Sequence, residues 1–493
     1  MNLRDKIETY VESTDVDAAY SKHISHFYAR YLESLGLGQK RFVDSTEHHL
    51  IDADGQRYLD LVAGYGTCHW GRHPAVQEAL CQLHELHLPS LVQFQLPVLS
   101  TMLAEEILDY AGSRYERLFF TNGGAEATEY ALKMARAVTG RQRMLCFEGG
   151  YHGLTLGALS INGMEAHQKL FSLQGENPIL PFGDLDAVED AFRRHPKQIA
   201  GVFLEPVQGR TGEVASPEFT QGLRQLCDRH GALLVFDEIK TGFGRTGKRF
   251  SYEWHDVLPD VVTIAKGISG GETPVGAVLY SAEVYRKIYG LIDRIAVWSS
   301  TFKENNLSMA VGLAVMELYR DNPQIHDHVL AAEARVRERL EGHSQDRYRL
   351  SVGGRGLLLT VRIEHVDGKK WVHSLMDTLE GDLFYDMVCR QLFTQKQILV
   401  SLPNRFGASL ALIPALNLPL AEFNRNGQLA AAAFEHLGFP IPRPRAGPRR
   451  LWRGGLPGLP WWLSPGVEAE RPGDHLEIGT SAWCRGGHPF PRP

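Results

Sequence analysis

The first hundred residues show a hydrophobic pattern that predicts helices followed by a β-hairpin. Residues 1–40 favour helices, with charged side chains spread among the apolar ones. In the segment 51–64, short alternating runs of apolar and polar residues flank Asp54-Gly55, a dipeptide typical of tight hairpin turns. We interpret this part of the chain as an N-terminal lead-in segment.

From about residue 100 the pattern changes to strands that alternate with helices. Apolar positions at three-to-four spacing predict a helix over residues 125–140, and apolar runs predict strands that include residues 232–238 and 261–267. Glycine or proline marks many of the element ends. Because such alternation predicts a parallel sheet, we expect a large α/β domain here, followed by a smaller α+β domain.

The boundaries of these parts follow from the changes in pattern. We predict that residues 1–75 form the lead-in segment and belong to the small domain, that residues 76–320 form the large domain, and that residues 321–439 form the C-terminal small domain. Residues 440–493 hold 11 of the 25 prolines and four of the eight tryptophans. Such a tail cannot bury enough surface to offset its ordering entropy, so we predict a disordered appendage without catalytic role, with a docking segment as the alternative.

Composition and charge narrow the class of protein. With 43% hydrophobic residues, 22% charged residues and a formal net charge of -6, the chain is typical of a soluble protein and too acidic for nonspecific binding of nucleic acid. The six cysteines form no C-x-x-C pair, which favours reduced thiols in a cytoplasmic protein over a zinc site or a disulfide framework. The chain has no apolar run that would cross a membrane and no histidine spacing typical of a metal site.

Two charged residues at the ends of apolar strands carry the strongest chemical signal. Asp237 lies at the carboxyl end of one predicted strand, and Lys266 lies at the carboxyl end of the other. In α/β proteins, ligands bind at these strand ends. A desolvated lysine is a nucleophilic amine, and a carboxylate can hold a pyridine nitrogen protonated. Either residue alone could belong to a structural ion pair, but the combination points to the chemistry of pyridoxal 5'-phosphate (PLP).

Three further segments carry candidates for binding this cofactor. The turn at Thr121–Ala125 joins a strand to a helix, and its free N–H groups suit a phosphate, although plain turns of this kind are common. Tyr151 and His152 follow another strand, where they could stack on a flat ring or simply pack in the core or on the surface. Glu205 ends a third strand, where it either tunes the cofactor pocket or forms a structural salt bridge.

Together these segments resemble class III aminotransferases, the ornithine and ω-amino-acid type, over about residues 20–437. The family pattern D-E-[IV]-x-T-G-F-G-R-T-G corresponds to residues 237–247, and its A-K-G corresponds to Ala265-Lys266-Gly267. The resemblance implies a fold-type I PLP-dependent transferase. In that fold, helices sandwich a mainly parallel, seven-stranded sheet in the large domain, and a smaller α+β domain is added.

The resemblance also implies the roles of the residues around the cofactor ring. Lys266 would carry PLP as a Schiff base, and Asp237 would face the pyridine nitrogen. Ile239 and Tyr151 would pack on the two ring faces. An amino donor would displace Lys266, and the freed lysine would move a proton as general base and acid, which implies an aminotransferase with ping-pong kinetics.

A second set of implied contacts concerns the phosphate and the oligomeric state. The phosphate would lie on the backbone amides of Gly124 and Ala125. Thr301, in the Ser-Thr-Phe motif, would reach the phosphate bound in the neighbouring subunit. The resemblance therefore implies a homodimer.

Three departures from the family pattern affect the substrate prediction. Lys240 stands where glutamine is common, and residues 303–306 replace the usual small residues and proline. Ala411 stands where many relatives carry an arginine that binds a substrate carboxylate, with Arg405 as the nearest replacement. We therefore predict a long, partly apolar or ω-amine substrate rather than a strict α-amino acid.

Three other functions compete with this prediction. An aminomutase would use the same lysine and aspartate but would not need an external amino acceptor. A catalytically idle protein could keep the fold as a binding module, and it would lack a bound, absorbing cofactor. A nicotinamide-dependent oxidoreductase would need a G-x-G-x-x-G turn after the first strand, which this sequence does not have.

Overall fold

The predicted apolar runs form a seven-stranded sheet at the centre of the protein. The computed structural model describes residues 2–91, 95–112, 115–173, 177–289, 299–341, 344–345, 348–365, 379–401 and 409–423. The strands are β1 (Phe42–Ser45), β2 (His49–Asp52), β3 (Arg57–Asp60), β4 (Arg117–Thr121), β5 (Arg143–Phe147), β6 (Ile179–Leu180), β7 (Ile199–Leu204), β8 (Leu233–Asp237), β9 (Val261–Ile264), β10 (Gly276–Tyr280), β11 (Ser344–Gln345), β12 (Tyr348–Arg355), β13 (Leu358–His365), β14 (Ile398–Leu399) and β15 (Leu410–Leu412).

Helices precede, connect and follow these strands. They are α1 (Leu3–Ser13), α2 (Val16–His23), α3 (His26–Ser34), α4 (Ala63–Gly66), α5 (Pro74–Glu85), α6 (Val98–Tyr110), α7 (Gly124–Thr139), α8 (Leu156–Ser160), α9 (Glu165–Leu170), α10 (Leu185–Arg194), α11 (Pro217–His230), α12 (Ala282–Tyr289), α13 (Asn306–Asp321), α14 (Ile325–Leu340) and α15 (Leu379–Lys396). Two 3-10 turns, Ser251–Trp254 and Lys266–Ser269, complete the set.

The central sheet has the strand order β4-β10-β9-β8-β7-β5-β6. Strands β9, β8, β7, β5 and β6 are parallel, and β10 is antiparallel to both β9 and β4. All six residues of β7 are buried, as expected for a strand with a layer on each face. The predicted α/β fold with a mainly parallel, seven-stranded sheet is confirmed.

The strand register brings the chemically important strand ends to one edge of the sheet. Asp237, the last residue of β8, lies opposite Thr263 near the end of β9. Gly276, the first residue of the antiparallel β10, lies opposite Thr121 at the end of β4. Because α7 starts at Gly124 just beyond that point, its N-terminus lies at the same edge.

The helices around the sheet begin and end where the sequence provides caps. In α11, Ser216 accepts the backbone N–H of Phe219 at 3.1 Å, and Pro217 occupies the first helical position, where no N–H partner is lost. Gly231 ends the helix in the left-handed conformation, with a φ of 62°, which a residue with a Cβ adopts only at a cost. The chain then re-enters the sheet as β8.

The remaining described strands form two smaller sheets. One has the order β1-β2-β3-β14, and it contains the predicted hairpin around Asp54-Gly55 as β2 and β3. The other has the order β11-β12-β13-β15. The domain boundaries stay predictions, and the predicted tail (440–493) and Arg405 lie outside the described residues. None of the helices described is both long and apolar enough to cross a membrane.

Candidate active site

A cavity of about 900 Å³ opens at the edge of the sheet where the strand ends meet. Eight of the nine predicted site residues line it, and they come from five separate stretches of the chain. These residues are Gly124, Ala125, Tyr151, His152, Glu205, Asp237, Ile239 and Lys266. The structure therefore brings together residues that the sequence separates by up to 140 positions or so, as expected at the carboxyl ends of parallel strands.

Lys266 lies two residues beyond the end of β9, after Ala265, and starts a 3-10 turn. Its backbone has a φ of 40°, in the left-handed region that side chains other than glycine rarely adopt. Such strain is typical of positions whose side chain must point in a fixed direction. Burial lowers the pKa of the Lys266 amine, whereas Asp237 and Glu205 act to raise it. The amine is thus more easily available in its neutral, nucleophilic form than an exposed lysine.

Asp237 is buried at the end of β8, and each of its carboxylate oxygens has a partner. Oδ1 accepts the backbone N–H of Ile239 at 3.1 Å and the hydroxyl of Thr263 at 3.2 Å. Oδ2 lies 2.7 Å from Nδ1 of His152, which is also buried. These bonds hold the carboxylate in one orientation at the cavity wall, where it can face a cationic ring nitrogen.

Glu205 joins two loops that border the cavity. Its Oε2 accepts the backbone N–H of Tyr151 at 2.8 Å, and its Oε1 accepts the N–H of Gly209 at 3.1 Å. Burial raises the pKa of this carboxyl, and His152 acts in the opposite direction. Both oxygens are held by backbone groups, so Glu205 fixes the shape of the pocket as well as its charge.

The turn between β4 and α7 has the features of a phosphate-binding site. Gly123 precedes α7 and has no side chain to cap it, so no cap occupies the first N–H groups of the helix. The residues that carry them, Gly124 and Ala125, line the cavity. A Cβ on Gly124 would lie 2.9 Å from Ile239 Cδ1, so only a glycine permits this close packing. The turn is also tied to the Ser-Thr-Phe segment, because Asn122 Nδ2 donates to Ser300 Oγ at 2.6 Å.

Thr301 is the one predicted site residue that does not line the cavity of its own chain. Its side chain is exposed, directly after Ser300, which contacts the phosphate-binding turn. The family resemblance implies that Thr301 reaches the phosphate bound in the neighbouring subunit, and that role stays a prediction.

Several cavity residues were not among the predicted site residues. Arg210 lines the cavity with its guanidinium carbon 5.5 Å from the centroid of the Tyr151 ring. Lys240 lines it as well and donates a hydrogen bond to the backbone oxygen of Gly209 at 2.7 Å. Burial, followed by the charge of Lys266, lowers the pKa of Lys240 to about 7. Arg210 follows Glu205 by five residues in a loop that contains Gly209 and Gly212, and this pattern alone does not indicate that the loop returns to the cavity.

The region of the expected substrate also includes Ala411. This residue, in β15, lines the cavity, as the alignment with the family pattern implied. His69 is buried, with Nδ1 2.8 Å from the Tyr319 hydroxyl. Within the described residues, no group of three or more His, Cys, Asp or Glu side chains is placed to hold a metal ion.

The residues that line the cavity fit PLP in three independent ways. A lysine amine of lowered pKa can bind the aldehyde carbon, a fixed carboxylate can face the ring nitrogen, and the start of a 16-residue helix can bind the phosphate. Ile239 supplies an apolar side chain between the carboxylate and the helix start, where a flat ring would lie.

Comparisons with known proteins agree with this chemistry. The sequence model described as aminotransferase class-III matches residues 41–381. The acetylornithine aminotransferase of Corynebacterium efficiens is 36% identical over 353 residues, which cover 69% of this chain and 84% of that protein. Aminotransferase PigE of a Serratia species is 38% identical over 271 residues, which cover 54% of this chain but only 32% of that longer protein.

Solved structures show the same fold. The amine transaminase from an uncultivated Pseudomonas species, crystallised with PLP bound, superposes with a TM-score of 0.70 at 25% sequence identity. The superposition covers 81% of this chain and 95% of that one.

Proposed function

The chain belongs to the class III aminotransferase family, whose members depend on PLP, and from that membership we propose that it transfers an amino group from an ω-amine donor to a carbonyl acceptor by a ping-pong mechanism. The observation that carries this proposal is the convergence of Lys266, Asp237 and the start of α7 on one cavity. When bound, PLP supplies an electron sink that weakens the bonds of the carbon attached to the substrate nitrogen.

We assign the proton transfers to Lys266. Its side chain ends in the cavity, and burial lowers the pKa of its amine, so the neutral form can accept a proton at Nζ from the substrate carbon. The same nitrogen then returns the proton to a neighbouring carbon. The strained backbone at a φ of 40° supports this role, because it fixes the direction in which the side chain leaves the strand.

We assign the orientation and charge of the ring to Asp237, Ile239 and Tyr151. Asp237 would keep the ring nitrogen protonated, and its bond to His152 would hold the carboxylate in place. Ile239 and Tyr151 would cover the two ring faces and exclude water from them. The backbone amides of Gly124 and Ala125 would bind the phosphate, assisted by the positive end of α7.

We propose that the enzyme is a homodimer in which Thr301 completes the phosphate site of the partner. Thr301 is exposed, and large apolar side chains around it are exposed as well, including Phe302 at 58% and Leu307 at 46%. Asn306 donates to the backbone oxygen of Ser90 at 3.1 Å, so a second loop is fixed beside this segment. Exposed apolar surface of this kind is typical of an interface.

Two further proposals concern domain organisation and location. The parallel pairing of β3 with β14, in which Leu59 lies opposite Ile398, supports assigning the lead-in segment to the C-terminal small domain. The five cysteines within the described residues are free thiols, which agrees with a cytoplasmic location.

The test combines spectroscopy with steady-state kinetics on the full chain loaded with PLP. We expect a visible-edge absorbance band that ω-amine donors bleach and carbonyl acceptors restore, and parallel lines in double-reciprocal plots of the two substrates. Lys266→Ala should abolish the band and the turnover, whereas Lys248→Ala, a control at an exposed lysine, should change neither. If donors bleach the band and turnover continues without an external amino acceptor, the enzyme is an aminomutase instead. The absence of any band would contradict the proposal.

A further inference from the structure

A buried histidine, His69, packs against the residue that follows Lys266. A Cβ on Gly267 would lie 2.4 Å from Cε1 of the imidazole and 2.5 Å from its Nδ1, so only a glycine fits against the ring at this position. His69 is 1% exposed, and its backbone oxygen accepts the N–H of Leu416 at 2.6 Å. The ring is therefore enclosed, and it limits where the backbone of Gly267 can lie.

The same imidazole is also bonded to Phe243. Nδ1 lies 3.0 Å from the backbone oxygen of Phe243 and 2.8 Å from the hydroxyl of Tyr319, which itself donates to that oxygen at 2.7 Å. Because a carbonyl oxygen can only accept, we assign the proton of the neutral ring to Nδ1. Burial lowers the pKa of His69 well below its ordinary value, and the charge of Arg245 acts in the same direction, so the ring remains neutral.

His69 thereby contacts two segments whose backbones are strained. Lys266 has a φ of 40° and Phe243 has a φ of 53°, both in the left-handed region that residues with a Cβ rarely adopt. Such conformations persist only where the surrounding structure determines them. Both segments belong to the proposed cofactor site, because Phe243 lies in the loop that follows Asp237, and Lys266 lies two residues beyond β9. The histidine holds one segment through Gly267 and the other through the Phe243 oxygen.

We propose that His69 is a positioning residue for the amino-group transfer, which holds the backbone of Lys266 in its strained conformation and fixes it relative to the loop that follows Asp237. His69 is not among the described residues that line the cavity, so it acts through the backbone and not by touching the substrate. This inference rests on the proposed aminotransferase function and adds a residue on which the reach of the Lys266 amine depends.

The effect of His69 should be large, because proton transfer depends steeply on the position of Lys266 Nζ. This nitrogen must reach two neighbouring carbons in turn, and a displacement of about 1 Å can cost a factor on the order of 100 in rate. Loss of the His69 ring should therefore lower kcat by a factor on the order of 10 to 100. KM for the amino donor should change little, because no contact with the donor is lost. The absorbance band should also appear more slowly when PLP is added to the PLP-free protein, since attack on the aldehyde uses the same nitrogen.

The experiment uses the full chain, first without PLP and then loaded with it. Stopped-flow absorbance measures how fast the visible-edge band appears when PLP is added, and steady-state kinetics with 1-aminopentane and pyruvate give kcat and KM. His69→Ala removes the ring, and His69→Asn keeps an amide N–H that can still donate to Phe243. Trp70→Phe is the matched control, because Trp70 is buried in the same loop and packs on the Tyr319 ring, with the ring centroids 5.1 Å apart.

A double-mutant cycle tests the contact between His69 and Gly267 itself. Gly267→Ala places a methyl group against the ring, so it should slow the appearance of the band and lower kcat in the unmodified background. The same substitution should have a much smaller effect in His69→Ala, where the ring that the methyl group would meet is gone. If His69→Ala does not fold, His69→Asn takes its place in the cycle, because its shorter side chain also lacks Cε1.

We expect His69→Ala to slow the appearance of the band and to lower kcat by a factor on the order of 10 to 100 each, with partial recovery in His69→Asn and near-normal values in Trp70→Phe. An equal loss in Trp70→Phe, a rise in KM with kcat unchanged, or the same effect of Gly267→Ala in both backgrounds would overturn the role of His69. If the unmodified protein forms the band but transfers no amino group, the aminotransferase proposal alone is contradicted, because the rate at which the band appears still decides the role of His69.

Discussion

His152 Nδ1 lies 2.7 Å from Asp237 Oδ2, although 85 positions of sequence separate the two residues. Both side chains are buried, so water cannot replace either partner. The edge of the His152 ring also packs against Phe203 of β7, with the ring centroids 4.7 Å apart, which fixes the direction of the imidazole. The position of the Asp237 carboxylate is thus set from outside its own strand.

The first prediction concerns this pair. His152→Phe keeps an aromatic ring of similar size and removes the hydrogen bond, so the buried carboxylate loses one partner. Loss of a hydrogen bond to a buried charge costs about 1.5 to 3 kcal/mol, and we expect PLP to bind on the order of 10-fold more weakly or worse. Equilibrium dialysis of PLP against the variant measures this. His230→Phe, at a histidine that stacks on Phe192 away from the cavity, is the control, and equal affinity in both variants would contradict the prediction.

Much of the site was predictable because strand ends are predictable. The apolar runs of β8 and β9 are continuous, so the sequence located Asp237 and Lys266 at strand ends without any information on tertiary contacts. Parallel pairing then brings such ends to one edge. Arg210 was not predicted because its position depends on how the loop after β7 folds back, through Gly209 and Gly212, and local pattern does not determine that path.

The antiparallel strand β10 was also absent from the prediction. Its apolar residues resemble those of its parallel neighbours, and hydrophobicity does not encode strand direction. The physical signal was present in the connection: residues 265–275 contain three glycines, at 267, 270 and 271, and form only a 3-10 turn, which is too short for the crossover that a parallel neighbour requires. A strand that follows β9 so closely must reverse direction.

The second prediction concerns the two lysines in the cavity. After burial, the charge of Lys266 is the largest cause of the lowered pKa of Lys240, so removal of that charge should raise this pKa. Glu205 acts to raise the pKa of Lys240, Arg245 and Arg210 act to lower it, and all three remain in the variant. In Lys266→Gln, labelling of Lys240 by an amine-reactive reagent in the PLP-free protein should therefore require a higher pH.

Mass spectrometry of the labelled peptide gives the pH profile of Lys240 alone. Lys266→Arg retains the positive charge and is the matched comparison, so its profile should stay near that of the unmodified protein. A profile in Lys266→Gln that is unchanged or moved to lower pH would show that the charge of Lys266 does not act on Lys240.

The third prediction concerns stability and pH at Glu238. This buried residue accepts a hydrogen bond from Thr241 and the backbone N–H of Tyr252, and burial raises its pKa to about 7. Because the folded pKa exceeds the usual value of 4.5, the folded state holds the proton more tightly than the unfolded state. The contribution of Glu238 to the free energy of unfolding is therefore fully present below about pH 4.5 and is lost as the pH rises through about 7.

Glu238→Gln mimics the protonated side chain and should remove this loss. We expect the midpoint of urea unfolding to fall less between pH 5 and pH 8 in the variant, with a difference on the order of 2 to 3 kcal/mol in the free energy of unfolding. Glu105→Gln, at an exposed glutamate of α6, should follow the unmodified protein. Parallel curves for Glu238→Gln and the unmodified protein would contradict the prediction.

The fourth prediction tests the packing of the phosphate-binding turn against Ile239, two residues after Asp237. In Gly124→Ala, the new Cβ would lie 2.9 Å from Ile239 Cδ1 and 3.1 Å from its Cγ2. The isoleucine must therefore move away from the position in which it would cover the cofactor ring. Since the backbone amide of residue 124 remains, weaker PLP binding would come from this displacement rather than from a lost donor. The double variant Gly124→Ala with Ile239→Val removes one of the clashing carbons, so it should recover part of the affinity. The double variant could instead lose more PLP affinity than the sum of the losses in the two single variants. In that case the contact between PLP and the isoleucine, and not the displacement of the isoleucine, determines the affinity.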